Sequence, residues 1–155
     1  MEQYDPITMA KIADMNVGIR IDREAATLLA ASTPYFNIVT GPIVLVSLIG
    51  IVTVPIPVAA VVLHWDTAPT AGTPTALSTD GGSMSGFLVG RQSQLPATVG
   101  AQINSTGGAA LDVCPEWVIP VGTLNCHCGV ASTTGLVKWT LVYVPIDEGA
   151  HVTVA

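Results

Sequence analysis

Hydrophobic positions occur in short segments rich in β-branched residues over most of the chain, and clusters of turn residues separate these segments. From residue 34 onward the turn clusters recur at intervals of roughly 8–20 residues, as in domains built from short strands. The clusters lie at residues 66–75, 78–86, 104–108 and 132–135. The intervening segments predict strands at residues 85–89, 99–103, 117–121, 123–130 and 137–144. The pattern therefore predicts an all-β fold, either a jelly-roll-like β-sandwich or a barrel.

The clearest strand pattern is "LVKWTLVYVP" at residues 136–145. Successive side chains of a strand point to opposite faces of its sheet. Val137, Trp139, Leu141 and Tyr143 therefore share one face, which we expect to lie in the core. After the turn "IDEG", the segment "AHVTVA" predicts a last short strand.

An uncharged segment at residues 41–63, "GPIVLVSLIGIVTVPIPVAAVVL", is long enough to cross a bilayer as a helix. Pro55 and Pro57 oppose that interpretation, because each would remove a helical hydrogen bond and clash with the preceding turn. Valine and isoleucine outnumber leucine in the segment, which favours strands, and no basic residue flanks it. We therefore expect two buried strands, at residues 42–54 and 58–65, and no membrane association.

Charge density divides the chain into an extended N-terminal arm, residues 1–33, and a β-sandwich body, residues 34–155. Half of the charged residues lie in the first 24 positions. The arm also carries apolar residues without a single period, and we expect it to become ordered by lying on another surface. The expected contact residues are Tyr4, Ile7, Met9, Ile12 and Met15. Good helix formers at residues 22–32, with Asp22 as a candidate cap, predict a short helix within the arm.

The body is poor in charge for a protein that diffuses freely. Charged residues make up 10% of the chain, against about a quarter in an ordinary soluble domain. The net charge is −6, and the five basic residues form no patch, so direct binding of nucleic acid is not expected. Such a surface favours a subunit whose neighbours cover much of it, as in a symmetric assembly.

Three cysteines and one histidine suggest a zinc site at first sight: Cys114, Cys126, His127 and Cys128. On a strand, however, Cys126 and Cys128 share one face while His127 points to the other. This spacing favours buried free thiols, and we expect neither a metal nor another cofactor. An odd number of cysteines and an acidic N-terminal segment also argue against a secreted, disulfide-bonded protein.

Catalytic motifs are absent from the sequence. His64, His127 and His151 could be combined with serines and aspartates into a hydrolytic triad, but a chain of this size offers many such combinations. The segment "GGSMSG" places Met84 where a nucleophile elbow requires serine. No dinucleotide-binding, phosphate-binding or zinc-protease motif occurs, so we expect that the protein is not an enzyme.

Aromatic residues offer a further candidate site, because the three tryptophans could form a platform for carbohydrate. Each tryptophan lies within or beside an apolar segment. Packing in the body core or in a trimer is therefore the expected role of Trp65, Trp139 and Tyr143.

The C-terminal segment "VKWTLVYVPIDEGAHVTVA" resembles a group of small head proteins of tailed bacteriophages, the cement, decoration or head-fibre proteins. These proteins commonly end in a strand with a Lys-Trp-like pair, a turn with Tyr, Pro, Asp, Gly and Ala, and a short tail of Val and Ala. The matching residues here are Lys138, Trp139, Tyr143, Pro145, Ile146, Asp147, Gly149 and Ala150. The segment "PYFNIVTGPIVLVSLIGIVT" at residues 34–53 resembles the opening pair of strands of the same group.

The resemblance implies a jelly-roll or β-sandwich protomer, usually a homotrimer, that binds the major capsid protein on the outside of the shell and reinforces the shell. It implies a location on the capsid surface of the virion after assembly in the host cytoplasm, and it supplies no catalytic residues. The main alternative is a receptor- or glycan-binding head fibre, or a tail-associated virion protein, that would use the loops at residues 66–86. A membrane-associated virion protein and a hydrolase are the remaining alternatives.

Overall fold

The computed structural model describes residues 18–57, 61–81, 83–96, 98–106, 117–131 and 134–155. These residues form strands, turns and irregular segments, with no helix among them. The strands are β1 Ile19–Ala26, β2 Ser32–Val39, β3 Ile43–Val54, β4 Leu63–Pro69, β5 Thr75–Ala76, β6 Gln92–Gln94, β7 Asn104–Thr106, β8 Trp117–Ile119, β9 Gly122–Cys128, β10 Leu136–Pro145 and β11 His151–Val154.

The strands form two antiparallel sheets that pack face to face, as in a β-sandwich. Sheet A has the order β1-β10-β3-β6-β7, and β8 also pairs with β3. Sheet B has the order β11-β2-β9-β4-β5. The chain passes from one sheet to the other between β1 and β2, β2 and β3, β3 and β4, β5 and β6, and at each step from β8 to β11. The all-β class predicted from the sequence is confirmed.

The uncharged segment contributes a central strand of sheet A. Strand β3 pairs with β10 along almost its whole length, from Ile43 opposite Pro145 to Val54 opposite Leu136. Pro55 follows β3 directly, so the predicted break lies at the end of a strand, where proline is tolerated. Strand β4 begins at Leu63, and residues 58–60 lie outside the described residues. Within the described part of the chain, no helix has the length and apolar character needed to cross a membrane.

The helix predicted over residues 22–32 is wrong. Residues 19–26 instead form β1, which pairs antiparallel with β10 at the edge of sheet A. Helix propensity is a weak preference that tertiary pairing overrides, and pairing here allows Ile21 to pack against the core while Leu28 is fully buried. The described part of the predicted arm therefore lies in the sandwich. The five apolar arm residues from Tyr4 to Met15 lie outside the described residues.

Two further segments predicted as strands are loops in the structure. Residues 85–89 and 99–103 were expected to be strands, but they form turns and irregular segments with one isolated bridge at Gln102. The predicted turn at 104–108 instead begins with β7. Residues 85–89 hydrogen-bond to the chain around Pro57 only at separate points, such as Ile56 N to Phe87 O at 2.9 Å. Without a continuous ladder, their apolar character does not produce a strand.

Three aromatic side chains form the centre of the core. Trp65 of β4 and Trp139 of β10 come from opposite sheets, and each is 1% exposed. Tyr35 of β2 contacts both indoles edge to face, with ring centroids 5.5 and 6.5 Å away. This aromatic cluster therefore joins the two sheets, and Trp65 and Trp139 lie in the core of a single chain.

A second link between the sheets is polar. Tyr143 of β10 is 4% exposed, and its hydroxyl accepts a hydrogen bond from the backbone N–H of Val152 in β11 at 3.2 Å. The alternation predicted for β10 is confirmed, because Val137, Trp139, Leu141 and Tyr143 are all buried.

Candidate functional site

The outer face of sheet A presents aliphatic side chains to solvent. Core-facing and outward-facing residues alternate along β3 and β10, so the outward set is defined by the strands themselves. Val118, Val44 and Val144 lie side by side on β8, β3 and β10. The aliphatic members of this set, called the aliphatic face below, are Val44, Val46, Ile49, Ile51, Val118, Val142 and Val144, and Ser47, Lys138 and Thr140 lie among them on the same side of the sheet.

Exposure on this face is substantial for apolar side chains. Ile51 is 37% exposed and Val118 is 64% exposed, and the other members are partly exposed. An extended aliphatic surface on a sheet is typical of an interaction site, whereas single exposed aliphatic residues are ordinary.

Charged groups lie on β1 and β10 beside the aliphatic face, with Arg20 opposite Val142 and Lys138 opposite Ile51. The carboxylate of Asp22 accepts hydrogen bonds from Arg20 at 2.8 Å and from the Thr140 hydroxyl at 2.6 Å. Lys138 lies 3.5 Å from the same carboxylate. The bonds from Arg20 and Thr140 lower the pKa of Asp22 from 3.8 to about 2. This network fixes the edge strand β1 to its neighbour and pairs the charges of Arg20, Asp22 and Lys138 with one another.

The outer face of sheet B is polar. Its polar outward residues, called the polar face below, are Ser32, Asn37, His64, Asp66, Thr123, Asn125, His127 and Thr153, and Pro34, Val39 and Ala68 lie on the same side. Asn125 donates to Asp66 at 2.9 Å, and the Ser32 hydroxyl donates to the same carboxylate at 3.3 Å. The outer face of sheet A therefore carries more aliphatic side chains than that of sheet B, which is mainly polar.

A cluster of two histidines and one aspartate lies on the polar face. His64 of β4 and His127 of β9 occupy directly opposite positions on adjacent strands, and their rings stack with centroids 4.2 Å apart. Asp80 reaches the pair from the segment after β5, with its carboxylate 2.7 Å from His64 Nδ1. One ring nitrogen of each histidine and one oxygen of Asp80 lie within 4.8 Å of one another. These are groups that could hold a metal ion.

Sequence reasoning missed this cluster because its members are brought together by strand pairing and by a loop. His127 was considered with Cys126 and Cys128, whose side chains point into the core at 1% and 2% exposure. Cys114 lies outside the described residues. The segments around His64 and His127 are both predicted as strands. The sequence does not show that these two strands pair with each other.

The other histidine does not join the cluster. His151 lies on β11 at the far edge of sheet B, where its Nδ1 is 2.8 Å from the carbonyl oxygen of Gly149. The three histidines that suggested a hydrolytic triad are therefore divided between two places.

The thiols of β9 belong to a buried aromatic environment. Burial raises the pKa of Cys126 well above its ordinary value, and a hydrogen bond with Cys128 adds to this effect. Burial also raises the pKa of Tyr35, and the guanidinium of Arg23 stacks 3.9 Å above its ring. The raised pKa values of Cys126 and Tyr35 favour their neutral forms, which suits packing.

A groove of about 370 Å³ opens beside β8 and the loop that follows β4. Trp117, which is partly exposed, lines it together with Thr73, Thr75 and Val99. Trp65 and Trp139 are buried and cannot form a carbohydrate platform. Trp117 is therefore the tryptophan of this chain whose described position would allow contact with a ligand.

Comparison of the chain with protein-family models, with curated proteins and with solved structures finds no match in any of the three. A functional proposal for this chain therefore depends on the properties of its own residues.

Proposed function

We propose that this protein is a structural subunit of a virion, of the cement or decoration type, that binds the outside of a capsid shell and stabilises it. The observation that carries the proposal is the contrast between the aliphatic face of sheet A and the polar face of sheet B. A subunit that lies on a shell needs one face for the shell and one for solvent. In this proposal the aliphatic face contacts the major capsid protein or a second copy of the chain.

The energetics of the aliphatic face support this orientation. Burial of apolar surface contributes roughly 25 cal/mol for each Å² removed from water. Lysine in such a surface has to be desolvated when the surface is covered, and Lys138 lies directly opposite Ile51. Lys138 and Arg20 are both paired with the Asp22 carboxylate, at 3.5 and 2.8 Å. The face can therefore be covered without burying an unpaired charge.

The strand order supports the finer assignment to a jelly roll, which is part of the proposal. The paths β1-β10-β3-β6 and β2-β9-β4-β5 place strands that are early and late in the chain next to one another, as two nested Greek keys would. Jelly rolls of this kind occur in viral capsid and lectin domains. The resemblance of the two chain ends to bacteriophage cement and decoration proteins supports the same interpretation.

Trimer formation and the role of the N-terminal residues complete the proposal. The protein acts as a homotrimer on the capsid surface, and its contacts with the shell are multiplied by symmetry. Tyr4, Ile7, Met9, Ile12 and Met15 bind the capsid or a neighbouring subunit. Deletion of residues 1–17 leaves β1 intact, so the shortened protein should fold and bind shells more weakly.

The proposal is tested by cosedimentation of the purified protein with empty capsid shells of the virus that encodes it. Ile51→Lys and Val118→Lys place a charge on the aliphatic face and should weaken binding at least about tenfold. Thr123→Lys and Thr153→Lys add the same charge to the polar face and should bind as the unmodified protein does. Equal binding by all four variants would refute the role of the aliphatic face.

Sedimentation equilibrium should give a mass near three times 15.9 kDa.

A glycan-binding head protein is the second candidate, and the groove beside Trp117 is the observation that favours it. An indole offers an apolar face and an N–H donor, and Thr73 and Thr75 add hydroxyl groups that both donate and accept. Binding of the isolated protein to an oligosaccharide array, lost in Trp117→Ala and retained in the control Leu88→Ala, would support this function. Absence of binding to every glycan on the array would count against it.

A further inference from the structure

We propose that His64, His127 and Asp80 bind one divalent transition-metal ion of the zinc class on the polar face of sheet B. The site is independent of the aliphatic face and goes beyond the structural role proposed above. Neutral imidazole nitrogens and a carboxylate oxygen are the ligands that zinc and its neighbours in the first transition series prefer.

The distances are close to those that a metal site requires. Zinc bonds to nitrogen and carboxylate oxygen are about 2.0–2.2 Å long, so tetrahedral ligand atoms lie roughly 3.3–3.6 Å apart. The three candidate ligand atoms already lie within 4.8 Å of one another. Because the two imidazole planes are stacked at 23°, the rings would have to turn so that one nitrogen lone pair of each points at the ion.

The hydrogen bonding around the histidines leaves a role for an ion. His127 Nδ1 is buried and has no hydrogen-bond partner among the described residues, which is costly for a polar atom. The contact between His64 Nδ1 and the Asp80 carboxylate at 2.7 Å requires a proton on the nitrogen. A metal ion bound at this nitrogen would replace the hydrogen bond and link all three groups, while the imidazole proton would move to Nε2.

The backbone holds the three residues in position. His64 and His127 are opposite each other within a seven-residue ladder between β4 and β9. The segment that carries Asp80 is fixed on both sides, because Gly81 N donates to Leu63 O at 2.9 Å and Thr79 N donates to Ala101 O at 2.9 Å. Preorganisation of this kind lowers the cost of assembling a metal site.

The exposure of the site indicates what completes the coordination. The side chain of Asp80 is 61% exposed and that of His64 is 25% exposed. Solvent therefore reaches the cluster, and water would occupy the remaining position of a tetrahedral ion. The bound ion would tie the segment around Asp80 to sheet B and stabilise the folded chain.

The test is titration of the metal-free, full-length protein with Zn²⁺ by isothermal calorimetry. We expect one ion for each chain and an increase of the unfolding temperature in the presence of Zn²⁺. His64→Ala, His127→Ala and Asp80→Asn should weaken binding at least about tenfold. His151→Ala removes a histidine from another part of sheet B and should bind Zn²⁺ as the unmodified protein does. Absence of binding, or weaker binding only in His151→Ala, would overturn the proposal.

A second measurement identifies the ligands even if one variant fails to fold. Co²⁺ bound to the unmodified protein should show visible d–d absorption without the intense near-ultraviolet bands that thiolate ligands produce. Thiolate bands would assign the ion to the cysteines and overturn the proposal. Neither result bears on capsid binding, so the two proposals are tested separately.

Discussion

Trp65 and Trp139 meet edge to face between the two sheets, with ring centroids 4.8 Å apart and ring planes 76° from parallel. One indole comes from β4 of sheet B and the other from β10 of sheet A. Their contact therefore depends on the packing of the whole sandwich. The interaction energy between the two indoles measures how well the two sheets fit together.

A double-mutant cycle should detect this contact. Trp65→Leu and Trp139→Leu each remove an aromatic partner and should each lower the free energy of unfolding. The double variant should be less destabilised than the sum of the single effects by about 0.5–1.5 kcal/mol, as measured by chemical denaturation. Val142 lies on the outer side of sheet A, so Trp65→Leu combined with Val142→Ala should be additive within about 0.5 kcal/mol. Additivity in the tryptophan cycle would contradict the prediction.

Removal of the Tyr143 hydroxyl should destabilise the link between β10 and β11. In Tyr143→Phe the backbone N–H of Val152 loses its partner while the ring still fills its place. A buried donor without a partner costs about 1–3 kcal/mol, and we expect a loss of that size in the free energy of unfolding. The control is Tyr4→Phe, which makes the same change at a tyrosine outside the described residues. A loss as large in Tyr4→Phe would argue against the specific role of Tyr143.

Asp22 should make stability depend on pH below its ordinary pKa. Because its pKa falls from 3.8 in the unfolded chain to about 2 in the folded protein, the folded state favours the charged carboxylate. The resulting stabilisation is present above about pH 3.8 and is lost as the pH falls through about 2. Asp22→Asn should therefore be less stable than the unmodified protein at neutral pH, by roughly 0.2–1 kcal/mol for an exposed ion pair.

The measurement for Asp22 is chemical denaturation at a series of pH values. The difference between Asp22→Asn and the unmodified protein should shrink as the pH approaches 2. Glu24→Gln removes an exposed carboxylate from the same strand and should change stability by less than about 0.5 kcal/mol at neutral pH. A difference that stays constant at every pH would show that the charge of Asp22 has no part in it.

The thiols of β9 should be unreactive in the folded protein. Cys126 and Cys128 are buried, burial raises the pKa of Cys126, and only the thiolate reacts with disulfide reagents. In a Cys114→Ser protein, DTNB at mildly alkaline pH should modify neither thiol until denaturant is added, and should then modify both. Rapid modification of the native protein would mean that this part of the core opens readily.

Strands with strong local patterns were predicted well. The segments that became β3, β9, β10 and β11 were recognised from β-branched residues, alternation and flanking turn residues, and the inward face of β10 was identified residue by residue. Burial of Cys126 and Cys128 was also predicted from their spacing. These features depend on residues that are adjacent in the sequence. They can therefore be predicted without knowing which strands pair with each other.

Segments with weak or conflicting patterns were predicted poorly. Residues 22–32 have good helix propensity, but residues 19–26 pair with β10 as the edge strand β1, with one irregularity between Arg23 and Ala26. Residues 87–89 are apolar, but no strand among the described residues pairs with them in a ladder. Helix propensity contributes only tenths of a kcal/mol for each residue. The presence or absence of strand pairing therefore has the larger effect on which structure forms.

The sequence by itself determined that this chain is an all-β protein with few charges, and which side of its best strands faces inward, because alternation is a property of adjacent residues. Only the tertiary structure decided that sheet A has an aliphatic outer face and that His64, His127 and Asp80 meet on sheet B. Both features depend on which strands become neighbours and in what register. A shift of one residue would turn each side chain to the opposite face, and no local pattern in the sequence specifies the partner of a strand.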